Sequence, residues 1–138
     1  MNLETATFAA AFIVMFGGHH LSDYPFQTDK QATRKADKTA RGWFANQVHA
    51  ATHTATTAVL LALADVVLSL PMSVAGTAAA LAWVHLSHSV IDRRRGIAWW
   101  MDHTGQRDFR QHGGAAHVDQ AAHIALGLIP AAALLAAL

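Results

Sequence analysis

Four long apolar runs dominate this sequence and constrain its fold more than any other feature. An α-helix needs about 20 residues to cross the hydrocarbon core of a bilayer, and each run is close to that length. Charged residues make up only 14% of the chain, whereas a soluble domain carries about 25%. The sequence therefore predicts an all-α fold, a single domain over residues 1–138. We expect a four-helix transmembrane bundle with spans at about 3–23, 45–70, 73–92 and 116–138.

The basic residues predict how the spans are oriented. All 10 Lys and Arg lie in two clusters, 30–41 and 93–110, which join the first span to the second and the third to the fourth. Loops rich in Lys and Arg remain on the cytoplasmic side of a membrane. We therefore expect an up-down-up-down, multi-pass protein of the cytoplasmic membrane with both termini outside.

Most of the His and Asp residues in these runs fall at the cytoplasmic end of the predicted bundle. Each span carries at least two of them, three or four residues apart, and residues at these spacings share one face of a helix. Helical bundles build carboxylate–histidine metal sites by projecting such pairs inward. The pattern predicts a metal site with eight candidate ligands, namely His20, Asp23, His49, His53, His88, Asp92, Asp119 and His123.

The donor types narrow the choice of metal. The sequence has no cysteine, which excludes thiolate ligands. Mixed imidazole and carboxylate donors suit a divalent transition metal. Zinc is favoured, and manganese, iron and nickel also fit. Eight ligands exceed the need of one tetrahedral zinc, so either two ions bind or some residues act as supports and bases. The alternative is a metal-free network of hydrogen bonds between helices.

The remaining histidines have sequence positions that give weaker evidence for metal binding. His19, His103 and His112 are interpreted as solvated side chains near the membrane surface. His85 and His117 are compatible with either ligation or support of the site. Asp65 lies towards the outer end of the second span and is left out of the site.

Several segments resemble the bacterial and phage membrane proteins grouped as domain-of-unknown-function family 3307. The first is His20-Leu-Ser-Asp23-Tyr-Pro-Phe-Gln27-Thr-Asp-Lys30, and the others are His49-Ala-Ala-Thr-His53, Ser87-His88-Ser-Val-Ile-Asp92 and Asp119-Gln120-Ala-Ala-His123. The resemblance implies a bacterial inner-membrane protein and brings Gln27 and Lys30 into the site region, but it implies no activity. The His/Asp pattern is more loosely similar to small membrane-bound metal-dependent hydrolases. The run Arg93-Arg94-Arg95 departs from the family pattern.

These observations favour a metal-dependent hydrolase that acts on an anionic, phosphate-bearing substrate from the cytoplasmic side. A metal ion lowers the pKa of bound water, and a carboxylate that is not a ligand can act as general base. Asp23, Asp92 and Lys30 are the predicted catalytic residues, with Asp119 as a further candidate base. The segment from Arg93 to Gly114, with Trp99 and Trp100 at the interface, is predicted to gate the site. Lys30 and the run from Arg93 to Arg95 are predicted to supply positive potential at the mouth of the site, although a purely topological role suits these arginines better than substrate binding.

Two other functions fit the same residues. Intramembrane His and Asp also line the pathways of divalent-metal and proton transporters. A non-catalytic membrane subunit could use a buried His/Asp network to stabilise its bundle. The expected partners are the lipid bilayer and an anionic small molecule or lipid, with no nucleic acid, and self-association into a homo-oligomer is left open.

Overall fold

The computed structural model describes residues 2–138. Within this range the chain is helical and contains no β-strand, which confirms the all-α prediction. The α-helices are α1 (Leu3–Asp23), α2 (Asp29–Arg34), α3 (Ala40–Leu68), α4 (Val74–Ile91), α5 (Arg95–His103), α6 (Arg107–Phe109), α7 (Ala115–Ala122) and α8 (Ile129–Ala137).

Side-chain caps explain where the long helices begin. Asn2, Thr39 and Ser73 each accept a hydrogen bond from a backbone N–H in the first turn of α1, α3 and α4, respectively. Such caps satisfy N–H groups that have no partner inside the helix. Because Thr39 caps α3, this helix begins at Ala40, a few residues before the apolar run that predicts it.

Four long helical segments form the bundle: α1, α3, α4 and the C-terminal helix, by which we mean α7 and α8 with the π-helical residues His123–Leu128 between them. α1 and α4 each pack against both α3 and α8. Small residues allow close contact, as at Gly76, where a Cβ atom would lie 3.0 Å from the carbonyl oxygen of Leu135. The buried apolar core includes Met15, Leu61, Val84 and Leu128.

A proline follows the π-helical segment two residues after its end. Pro130 has no N–H to donate to the carbonyl of Leu126, four residues earlier. The indole N–H of Trp83 on α4 donates to that carbonyl instead, at 2.9 Å. Segments of this type are frequent at functional sites, and this one begins at the candidate ligand His123.

The outer surface of the bundle is strongly apolar. Three stretches, Ala40–Leu68, Val74–Ile91 and Arg107–Ala137, are long and apolar enough to cross a membrane. Their outward-facing side chains are exposed, for example Val66 at 81% and Val74 at 89%. Exposed apolar surface on this scale indicates a lipid environment. α1 is not among the three stretches, because Glu4, His19 and His20 make it more polar.

Candidate metal centre

The four long segments place their polar side chains at one end of the bundle, which we call the polar end. α1 and α4 finish there, whereas α3 and the C-terminal helix start there. The spacing of four residues aims each pair inward, so the buried side chains of all four segments meet at one point. They are His19, Asp23, His49, His53, His88, Asp92 and His123, with Asp119 partly exposed at the edge.

Asp23 is the hub of this cluster. Its Oδ1 atom lies 3.1 Å from Nε2 of His49 and 3.2 Å from Nε2 of His53. Nε2 of His88 lies 3.8 Å from the same oxygen. The Oδ2 atom lies 3.1 Å from Nε2 of His19 and accepts a hydrogen bond of 2.9 Å from the Gln120 amide. One carboxylate thus contacts all four helical segments of the bundle.

Asp92 forms a second hub directly after α4. Its Oδ1 atom accepts a hydrogen bond from Nζ of Lys35 at 2.9 Å, and its Oδ2 atom lies 3.2 Å from Nε2 of His88. Nε2 of His123 is 3.6 Å from Oδ1. Only 1% of the surface of Asp92 is exposed, so its carboxylate is stabilised by these contacts and not by water.

The donor atoms fit a transition metal. One nitrogen or oxygen from each of Asp23, His49, His53 and His88 can be chosen so that all lie within 4.8 Å of one another, and the same holds for Asp92, Asp119 and His123. Nε2 of His88, Nε2 of His123 and Oδ2 of Asp92 are buried without a hydrogen-bond partner among the described residues. Buried polar atoms normally have partners. Their convergence is expected of a site that binds a cation.

Polar neighbours outside the cluster orient α3 and α4. Asn46 and Gln47 on α3 bond to Ser89 on α4, with the Ser89 hydroxyl donating to Asn46 at 2.6 Å. His85 lies 3.2 Å from the Thr54 hydroxyl and 3.1 Å from the Gln47 amide oxygen. His85 therefore joins α3 to α4 through hydrogen bonds, and it lies outside the groups of residues that could hold a metal ion.

The structure brings together seven of the eight predicted ligands, and His20 is the exception. Its Nδ1 atom lies 3.0 Å from the carbonyl of Phe16, and its ring packs between Phe16 and Tyr24. His19, interpreted from the sequence as solvated, is instead 2% exposed and contacts Asp23. Both histidines lie within one turn of Asp23, and the rotation of α1 turns His19 inward. His117 stacks on Phe109 at the surface.

Lys30 and Arg93 also differ from their predicted places. Lys30 is exposed on α2 and lines a surface groove beside Phe44, away from the cluster. The position of Lys30 in this groove therefore does not support its predicted catalytic role. Arg93 is buried rather than at the mouth of the site, and it donates to the carbonyls of Lys35 and Asp37. Its guanidinium also stacks over the Trp43 ring at 4.2 Å.

A cavity of about 640 Å³ leads from the surface of the polar end to the cluster. Its wall includes two cluster carboxylates and three basic residues. α5 supplies part of the wall through Ile97 and Ala98, so the predicted gate segment is a helix beside the cavity. The polar wall residues are Asp23, Tyr24, Gln27, Lys35, Arg94, Arg110, Asp119 and Gln120. Gln27, which the family resemblance brings to the site, donates to the carbonyl of Asp23.

Comparison with known proteins identifies a family. A family model described as "Protein of unknown function (DUF3307)" matches residues 11–136, which is nearly the whole chain. The match confirms the resemblance seen in the sequence segments. No curated protein and no solved structure matches the chain. A function must therefore be argued from the site itself.

Proposed function

The chain belongs to the DUF3307 family of proteins of unknown function, and we propose that it is a membrane-embedded, metal-dependent hydrolase that acts on an anionic, phosphate-bearing substrate. One observation carries the proposal: a buried cluster of histidines and carboxylates that opens through Asp23 and Asp119 into a cavity with basic walls. Such a cluster alone suits metal binding, and the adjoining cavity adds room for a substrate.

The proposed membrane topology has four spans. α1 joins the three apolar stretches because it packs against both α3 and α8 and its 21 residues are long enough for a span. All basic residues lie at the polar end or in the loops beside it. The positive-inside rule then puts the polar end in the cytoplasm and both termini outside.

Reporter fusions test this topology. We expect alkaline phosphatase, which is active only outside the cytoplasm, to be active when fused after Leu138. The same reporter inserted at Gly105, in the basic loop between α5 and α6, should be inactive. Activity with the reverse pattern, or equal activity at both positions, would contradict the four-span topology.

The metal is proposed to bind at Asp23, His49, His53 and His88. Three imidazoles and one carboxylate are donors that zinc accepts, and a water molecule would be a fifth ligand, a coordination number that catalytic zinc sites can reach. When bound, a divalent metal supplies a Lewis acid and lowers the pKa of a bound water molecule. His19 and Gln120 hold the second oxygen of Asp23, and such partners fix the orientation of a metal-binding carboxylate.

Among the predicted bases, Asp119 has the most suitable position. It lines the cavity, its side chain is 22% exposed, and its Oδ1 atom has no hydrogen-bond partner among the described residues. In hydrolysis of a phosphoester, the water oxygen bonds to phosphorus as the bond to the leaving oxygen breaks. Asp119 can take the proton that water loses and return it to the leaving oxygen. Asp92 is less suitable as a base, because Lys35 occupies its Oδ1 atom.

The charge of the cavity favours an anionic substrate. Lys35, Arg94 and Arg110 line it. Lys35 is partly neutralised by Asp92 and Arg110 by Asp102, each at 2.9 Å. Basic groups at the mouth of a cleft attract anions and stabilise negative charge that develops during phosphoryl transfer. A phosphate ester, free or in a lipid head group, therefore matches the site.

A transport pathway has weaker support. A pathway for metal ions or protons should continue as polar side chains across the bundle. Beyond the cluster, the buried residues that the structure describes are apolar, as at Leu61, Val84 and Leu135, and the polar exceptions are Thr7 and Thr57. The polar cluster therefore does not continue across the bundle, which suits an active site better than a transport pathway.

Phosphate release measures the proposed activity. Purified protein in detergent is incubated with soluble phosphoesters and with phospholipid vesicles, before and after treatment with a chelator. We expect release that the chelator abolishes and zinc restores, and a mock-treated sample controls for loss of folded protein. Release that is insensitive to the chelator, or metal flux into proteoliposomes without any release, would refute the hydrolase.

A further inference from the structure

Lys35 lies in a place where a lysine is rarely found. It follows α2 directly, and only 6% of its surface is exposed. Its Nζ atom lies 2.9 Å from Oδ1 of Asp92 and 3.1 Å from Nε2 of His49. A buried lysine requires a charged partner. Lys35 therefore belongs to the centre and not to the basic surface that surrounds it in the sequence.

The backbone of Lys35 is held in place by the turn that follows α4. Arg93, also buried, donates to the carbonyl of Lys35 at 2.7 Å and to the carbonyl of Asp37. Because Arg93 follows Asp92 directly, the same turn of chain fixes both the lysine and its carboxylate partner. The ammonium group thus has a defined position within the centre.

The ligand groups include two sets that share no residue. Asp23, His49, His53 and His88 form one set, and Asp92, Asp119 and His123 form another; a third group, His19, His88 and His123, overlaps with both. The ammonium of Lys35 contacts both sets, but in the first it meets the imidazole of His49, whereas in the second it pairs with the carboxylate of Asp92. The ammonium thus cancels a negative charge that a second cation would need, and it opposes the binding of that cation.

The charge balance of the centre also argues against a second metal ion. The three carboxylates of Asp23, Asp92 and Asp119 are neutralised by one divalent ion and one ammonium group. A second divalent ion beside Lys35 would leave two positive charges uncompensated in a largely buried site, which is unfavourable. Without Lys35, in contrast, the second set of ligands would lack a counter-ion.

We infer that the centre binds a single metal ion, at Asp23, His49, His53 and His88, and that Lys35 occupies the place of a second ion beside Asp92. The inference rests on the proposed metal-dependent function, and it specifies how many metal ions the site binds and where the other positive charge lies. Because Lys35 also lines the cavity, its ammonium is the fixed positive charge that a substrate phosphate meets next to the metal.

Metal stoichiometry tests this arrangement without any assay of activity. The full chain is purified in detergent, equilibrated with excess zinc, freed of unbound ions and subjected to elemental analysis. We expect one zinc per chain for the wild type and two for Lys35→Met, which removes the charge and keeps a similar length. Lys38→Met is the matched control, because Lys38 is exposed in the same loop, and it should retain one.

The outcomes separate the two proposals. A wild-type chain without zinc would refute the metal centre and, with it, the role of Lys35. Two zinc ions in the wild type, or one in a folded Lys35→Met variant, would overturn the single-ion arrangement and leave the metal-dependent function standing. If Lys35→Met fails to fold, Lys35→Gln is measured in the same way, and the wild-type count alone still decides between one ion and two.

Discussion

Replacing Asp23 by Asn is expected to lower the affinity of the protein for zinc by more than about 100-fold. Loss of a residue that only supports a metal ligand already costs about 10–100-fold in affinity, and Asp23 is proposed as a ligand. Its Oδ1 atom contacts His49 and His53, and its Oδ2 atom contacts His19. Competition with a chromogenic chelator measures the affinity.

The same variant should keep its helical fold. Asn has the shape of Asp, and the buried site loses a negative charge that is costly without a bound cation. Circular dichroism of the metal-free proteins would show similar helix content. Asp65→Asn is the matched control, because Asp65 is exposed near the far end of α3, and its zinc affinity should equal that of the wild type. Wild-type affinity in a folded Asp23→Asn variant would exclude Asp23 as a ligand.

Replacing Asp119 by Asn is expected to lower kcat by about 10²–10⁴-fold, the usual contribution of a general base. Asp119 lies outside the proposed ligand set and faces the cavity, so the zinc content should stay at the wild-type value. KM should change little, because the side chain of Asn has nearly the same size as that of Asp. Phosphate release and elemental analysis on the same sample measure both quantities.

Asp108→Asn controls for the loss of a negative charge near the polar end. The side chain of Asp108 is 92% exposed, so its replacement should leave kcat and zinc content unchanged. A fall in zinc content that parallels the fall in kcat for Asp119→Asn would identify Asp119 as a ligand instead of a base. An unchanged kcat would exclude both roles.

The helical periodicity and the order of the segments allowed most of the site to be predicted. His49 and His53 lie near the start of one predicted span, and His88 lies near the end of the next. In an up-down bundle these positions must share one end, and a four-residue spacing puts both side chains of a pair on one face. The sequence therefore predicts the cluster without any knowledge of the helix packing.

Positions that depend on helix rotation or on loops could not be predicted in the same way. His19 and His20 are adjacent, and only the packing of α1 against α3 and α8 decides which ring turns inward. Lys35 lies in a connection between helices, where no periodicity applies, and the basic residues near it in sequence, Arg34 and Lys38, are exposed. Arg93 has the position expected of a topological anchor, and its hydrogen bonds to the α2–α3 connection depend on tertiary contacts.

The unequal lengths of α3 and α4 have a consequence for the depth of the centre. At 1.5 Å per residue, the 29 residues of α3 extend about 43 Å and the 18 residues of α4 about 27 Å. A hydrocarbon layer is about 30 Å thick, so the first turns of α3 project beyond it, and α4 ends near its boundary. In the proposed topology, Asp92 at that boundary would lie just below the lipid phosphates. A thicker bilayer would draw the centre further below the phosphate layer, so bilayer thickness would set how readily the cavity admits lipid phosphates.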